Sequence, residues 1–217
     1  MKKRKSRLIA ELSVLGLSLL GVVLQLSLSR RPSDALAQFS YYTLQTNFIV
    51  SIVAFANVVF DCRRQESPRA DKLLRILTGG SVLWITVTMT VYHFLLSGYY
   101  RPEGLALIAN NLLHYITPSA AIICWLLFEE KSSYKFFYPV LWAIYPLAYA
   151  VGAVIRGSLT GFYPYWFLNP ADEYPEGIGS FGNLFIFISV VSVMFILAGY
   201  LMILVNHLSF HKEHGVE

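Results

Sequence analysis

Charge is scarce in this chain. Asp, Glu, Lys and Arg make up 14% of its 217 residues, where a soluble domain carries roughly a quarter. The charges that exist are gathered between long apolar runs, the distribution expected when lipid solvates most of a chain. A separate soluble domain is thereby excluded. Cysteine is scarce too: Cys62 falls in a basic connection and Cys124 inside an apolar run. Their different depths and their spacing fit neither a disulfide nor a metal site. Internal repeats and low-complexity tracts are missing. So is any basic helix interleaved with aromatics, which leaves the formal net charge of +4 without a nucleic-acid partner.

What is abundant is hydrophobic chain, 56% of the residues. Six runs, at 8–28, 42–60, 76–96, 105–128, 136–155 and 181–205, each approach the ~20 residues that cross ~30 Å of hydrocarbon at ~1.5 Å per residue. They predict an all-α, polytopic membrane protein: one domain, a bundle of six transmembrane helices. The first run follows Lys2, Lys3, Arg4, Lys5 and Arg7, and Ala35-Leu36-Ala37 resembles a cleavage site. The run is longer than a usual signal-peptide core, however, and Arg30, Arg31 and Pro32 separate it from that site. It reads as a retained helix. Pro139 and Pro146 fall in the fifth run, where neighbouring helices in a membrane protein can satisfy the carbonyls they free.

The basic residues predict the orientation. With both ends of the chain cytoplasmic, 13 of the 17 Lys and Arg lie inside, including Arg63, Arg64, Arg69, Lys72, Arg75, Lys131, Lys135 and Lys212; Arg30, Arg31, Arg101 and Arg156 lie outside. This is a strong positive-inside bias, and it gives the cytoplasmic face anionic lipid headgroups as partners.

Polar residues inside spans are costly and therefore informative. Thr43, Gln45, Thr46 and Asn47 open the second span, and His93 closes the third. Asn110, Asn111, His114 and Thr117 lie in the outer half of the fourth, Tyr149 and Arg156 towards the outer end of the fifth, and Asn183 begins the sixth. Five helices thus put polar groups in one outer layer, and the inner halves read as largely apolar. Thr43, Thr46 and Asn47 share a helix face by their i, i+3 and i+4 spacing, as do Asn110, His114 and Thr117. An imidazole beside a hydroxyl suits nucleophilic catalysis, since it accepts the proton of an alcohol too weakly acidic to attack unaided. Asn side chains can donate to a developing oxyanion.

Plainer roles exist for each of these residues. An isolated histidine within a span more often holds helices together than acts as a base, and intramembrane Thr often bonds its own i−4 carbonyl. The long connection from Arg156 to Ser180, with Tyr163, Pro164, Tyr165 and Trp166, reads first as an interfacial aromatic belt and second as a lid over an outward-opening site. His207, His211 and His214 read as a solvated tail rather than a metal motif, and Asp172, Glu173 and Glu176 as a hydrated loop. No metal or organic cofactor is implied.

Three motifs carry a resemblance. Phe39-Ser40-Tyr41-Tyr42-Thr43-Leu44-Gln45-Thr46-Asn47, Leu112-Leu113-His114-Tyr115-Ile116-Thr117-Pro118, and Arg156-Gly157 through Gly161-Phe162-Tyr163-Pro164-Tyr165 are similar to segments of a bacterial six-span membrane family. That family resembles the androgen-induced protein and androgen-dependent TFPI-regulating protein of animals. The animal proteins are membrane threonine hydrolases that cleave fatty acid esters of hydroxy fatty acids. The resemblance implies Thr43 as nucleophile, His114 as base, a lipid-ester substrate and a bacterial inner-membrane location. After Thr43 this chain reads Leu-Gln-Thr-Asn, where the animal proteins are more apolar and carry an acid. The expected function is intramembrane ester hydrolysis. The alternatives are a transporter or binder of a small polar or lipidic ligand using the same pocket, and an assembly protein whose polar faces join helices.

Overall fold

The computed structural model describes residues 2–63, 67–99, 101–130 and 133–214, with backbone alone at 2 and 209–214. Arg64 and Lys131, and the side chains of His211, Lys212 and His214, on which parts of the orientation and tail readings rest, lie outside the described residues. The chain is 81% helical, and no strand occurs among the described residues. Six helices are long and apolar enough to cross a membrane. They are α1 (Lys2–Ser27), α3 (Tyr42–Arg63), α4 (Pro68–Val91) running into a π turn (Tyr92–Leu96), α5 (Gly104–Asn111) joined through a second π turn (Leu112–Ile116) to α6 (Thr117–Phe128), α7 (Tyr138–Thr160) and α8 (Phe181–His214). A short α2 (Pro32–Gln38) stands between α1 and α3.

Several helices start earlier than their apolar runs. α4 begins at Pro68 rather than Ile76 because Ser67 caps it, its hydroxyl accepting from the Ala70 amide at 3.4 Å, with Pro68 in the first turn and Asp71 beside it. Those capping residues carry no hydrophobic signal, so apolar length alone misses them.

Two compact units are present: Met1–Tyr134 with Val205–Glu217, and Lys135–Leu204. In the first, α1 packs chiefly on α3 and also on α5 and α6, and α4 packs on α3 and α6. The pairing is antiparallel. Arg7 near the start of α1 pairs with Asp61 near the end of α3, whereas Val22 packs with Leu44 and Leu113 at the other end. A Cβ on Gly21 would sit 3.0 Å from the Leu113 side chain, so the glycine lets α1 approach the second π turn closely. Asn206 ties the end of α8 into this unit, donating to the Glu130 carbonyl at 3.0 Å and accepting from the Ser133 amide at 3.3 Å.

In the second unit, α7 ends on Gly161 in the left-handed conformation (φ 73°), whose amide donates to Gly157 at 2.8 Å. The connection that follows is ordered around buried Asn169. Its amide nitrogen donates to Asp172 (2.8 Å) and the Glu176 carbonyl (3.0 Å), while its side-chain oxygen accepts from Ala171 at 3.0 Å. Tyr165 stacks on Phe167, and Phe167 on Phe187. The Tyr163 ring lies where a Cβ on Gly157 would be. Gly157→Ala is therefore expected to push the loop off α7 at a cost of about 1–3 kcal/mol. The check is a lower unfolding midpoint together with red-shifted tryptophan emission.

Candidate functional site: a threonine–histidine pair

Thr43 lies in the first turn of α3 and His114 in the middle of the second π turn. The structure brings them together: Thr43 Oγ1 is 3.2 Å from His114 Nε2. The other ring nitrogen, Nδ1, is 3.0 Å from the Asn110 carbonyl oxygen. A carbonyl only accepts, so Nδ1 carries a hydrogen, and in the neutral ring Nε2 is left to accept the Thr43 hydroxyl proton. The imidazole lies against the Tyr92 ring, with centroids 3.7 Å apart and planes at 19°. The Asn110 side-chain amide in turn donates to the Tyr92 hydroxyl at 2.7 Å. One face and one ring nitrogen of His114 are therefore fixed, by Tyr92 of the first π turn and Asn110 of α5.

The sequence dictates this geometry through Pro118. In the π turn the Thr117 amide donates to Leu112, five residues back, and Pro118 has no amide hydrogen to offer. The Leu113 carbonyl is thereby left without a donor from its own helix. Asn47 supplies one from α3, its amide nitrogen lying 3.1 Å from the Leu113 carbonyl and 2.9 Å from that of Thr43. π turns of this kind recur at functional sites. The first π turn, closed by Ser97 donating to Tyr92 at 2.8 Å, ends the third span and carries Tyr92.

Asn47 is fully buried, and both hydrogens of its amide are committed to carbonyls. Its free atom is Oδ1, an acceptor. The oxyanion role expected for Asn47 is replaced by that of a brace joining the nucleophile's helix to the base's helix. Asn110 spends one amide hydrogen on Tyr92 and retains the other; Asn111 is partly buried beside it. Gln45 donates to the Phe39 carbonyl at 2.6 Å and closes the entry to α3. Thr46 donates to the Thr43 carbonyl (3.1 Å) and meets the Thr88 hydroxyl at 2.8 Å. His93 is exposed and faces the Tyr115 hydroxyl at 3.2 Å. Thr117 is buried with no partner for its hydroxyl among the described residues: the π turn breaks the 3.6-residue spacing on which a face shared with Asn110 and His114 depends.

Tyr149, Arg156, Asn183 and the loop residues Tyr163, Pro164, Tyr165 and Trp166 belong to the second unit. Arg156 lies over the Phe162 ring at 4.9 Å, and Tyr149 neighbours Tyr165. Asn183 donates to the Ile178 carbonyl at 2.9 Å.

The inner halves are not apolar, contrary to expectation. At the end of the first unit away from Thr43, Asn57 donates to Glu11 (3.2 Å) and Thr78 (3.1 Å). Arg7 lies 3.4 Å from Asp61, and Arg75 pairs with Asp71 and Glu130. Sequence reasoning passed over Glu11 and Asn57 because each is a single polar residue in a long apolar run; an acid and an amide at that depth were themselves the signal. Glu129, just past α6, is 9% exposed. Its burial pushes the carboxyl up to about 7, with Arg7 and Arg75 opposing.

The folded chain therefore holds a proton that the unfolded chain, at the ordinary value of 4.5, has lost. The contribution of Glu129 to stability is full below about pH 4.5, is lost as pH rises from there through 7, and is flat above, a loss of about 3 kcal/mol. Unfolding measured against pH should show this slope in the wild type and a shallower one in Glu129→Gln.

Compared with protein-family models, with curated proteins and with solved structures, the chain matches none.

Proposed function

We propose that this chain is an intramembrane hydrolase that cleaves a lipid acyl ester, with Thr43 as nucleophile and His114 as general base. The observation that carries the reading is the 3.2 Å approach of Thr43 Oγ1 to His114 Nε2, with the Nδ1 hydrogen held by the Asn110 carbonyl. In attack, Oγ bonds to the ester carbonyl carbon as its proton passes to Nε2. The same proton then goes to the departing alkoxide, leaving an acyl-threonine. A water, deprotonated by the neutral imidazole, attacks that ester and releases the carboxylic acid and the free hydroxyl. The oxyanion falls to the remaining amide hydrogen of Asn110 or to Asn111. Asn110 supplies a backbone carbonyl where a triad would supply a carboxylate, so the ring is oriented but its positive form gains less stabilisation.

The resemblance to the six-span threonine hydrolases points the same way, with a fatty acid ester of a hydroxy fatty acid as the substrate class and the inner membrane of a bacterium as the location. The positive-inside bias puts both ends of the chain in the cytoplasm and the Thr43 end outside. The test is a fluorophosphonate probe on the purified protein, with the adduct mapped by mass spectrometry. An adduct on Thr43 that disappears in His114→Ala supports the reading; labelling unaffected by Thr43→Ala sinks it.

A ligand-carrying role gains some support from the polar cluster at the other end. Thr43 and Asn57 are about 21 Å apart along α3, however, and buried Val50, Val53 and Ala54 lie between them. A carrier would keep its uptake in Thr43→Ala; a hydrolase would lose its turnover.

A further inference from the structure

A cavity of about 30 Å³ lies among α1, α3, α4 and α6, and its polar lining is Arg7, Glu11, Asn57, Thr78, Cys124 and Glu129, with Ser81. It is separate from the Thr43–His114 pair, and nothing in the proposed hydrolysis uses it. Glu11 and Asn57 are 7% and 3% exposed. Asn57 gives its amide hydrogens to Glu11 Oε1 and Thr78 Oγ1, so it fixes two oxygen atoms on the cavity wall. On the other side, the Tyr134 hydroxyl accepts from Trp125 Nε1 at 2.8 Å and bonds the Glu129 carboxylate. Glu129 Oε1 is left buried without a hydrogen-bond partner among the described residues.

Among the described residues acids outnumber bases around the cavity, even with Arg4, which donates to the Asp61 carbonyl. Arg7 and Glu11 come from α1, Asp61 from α3, Asp71 and Arg75 from α4, and Glu129 and Glu130 from the segment after α6. Arg7 lies against Asp61, and Arg75 against Asp71 and Glu130. Both arginines are thus engaged, and among the described residues neither Glu11 nor Glu129 makes an ion pair, although Arg7 lines the same cavity. A buried carboxylate in that position is costly until something positive joins it. The space is wide enough for a water or a small ion. Among the described residues no three His, Cys, Asp or Glu side chains converge as a metal set, so a divalent ion lacks its ligands. The available donors are hard oxygen atoms, suited to a small hard cation.

We propose that this cavity binds one monovalent cation, a proton or a sodium ion, between Glu11 and Glu129, with Asn57 and Thr78 fixing the oxygen atoms that receive it. The site adds a cation-linked function to the chain, whatever reaction occurs at Thr43.

Dicyclohexylcarbodiimide tests it, because this reagent modifies protonated carboxyls in apolar surroundings. The purified full-length protein is treated over a range of pH in sodium-free choline buffer and in sodium buffer, and adducts are mapped by mass spectrometry. The expected result is an adduct on Glu11 or Glu129 that falls about tenfold per pH unit above the site's midpoint. Suppression by sodium at constant pH identifies a sodium site; indifference to sodium identifies a proton site. An adduct that does not change with pH, or none on either residue at any pH, overturns the proposal. Glu11→Gln should weaken the sodium or pH dependence of the unfolding midpoint, leaving the part carried by Glu129. If that variant does not fold, the wild-type adducts decide alone. Thr43→Ala should label as the wild type does.

Discussion

Replacing Thr43 by alanine is expected to lower acyl-ester turnover by a factor on the order of 10²–10⁴, and replacing His114 by alanine should do the same. The two effects should not multiply. Thr43 Oγ1 and His114 Nε2 share one hydrogen bond and act on one proton, so removing either leaves the other with no role, and the double variant should resemble each single one. Thr43→Ser keeps the hydroxyl and should retain substantial activity. Steady-state hydrolysis of a chromogenic acyl ester in mixed micelles measures all four variants. Turnover in His114→Ala at the wild-type rate would remove the imidazole from the chemistry, and additive losses would mean that the two residues act separately.

The second large effect is expected at Asn47. Asn47→Leu keeps the approximate volume of a fully buried side chain but removes donors at 2.9 and 3.1 Å from the Thr43 and Leu113 carbonyls. The Thr43 carbonyl still receives the Thr46 hydroxyl. The Leu113 carbonyl has no substitute, because Thr117 donates elsewhere and Pro118 cannot donate. One orphaned carbonyl and one lost bond amount to about 2–4 kcal/mol. Unfolding by SDS titration would show it. Activity should fall as well, since the brace between α3 and the second π turn is gone. Wild-type stability in Asn47→Leu would mean that the Leu113 carbonyl finds another donor.

The six spans were legible because an apolar run of about 20 residues has few alternatives. Thr43 and His114 were legible as polar residues in one outer layer, and the motif resemblance singled them out from their neighbours. The π turns were not. The one at Leu112–Ile116 arises from a missing donor at Pro118 and from a carbonyl satisfied by a residue 66 positions away in the chain, and no local pattern announces either. Asn47 was read as an oxyanion donor because an amide has hydrogens to give; only the geometry shows that both are already given. Glu11 and Asn57 were hidden in the opposite way, each diluted by apolar neighbours on its own helix, and they become a cluster only when α1 and α3 pack antiparallel. Asn169 carries no signal in a loop dominated by aromatics, although it makes three of that loop's side-chain bonds.

The turn from Leu112 to Ile116 also alters how the fourth span keeps phase. A residue of surplus chain there offsets everything below it by about 100° from where an unbroken helix would point. His114 can then be aimed at α3 while Cys124 and Trp125, further along, are aimed into the cavity with Glu11. Deleting one residue within that turn would leave a helix of adequate length and hydrophobicity, with one of its two halves facing the wrong neighbours.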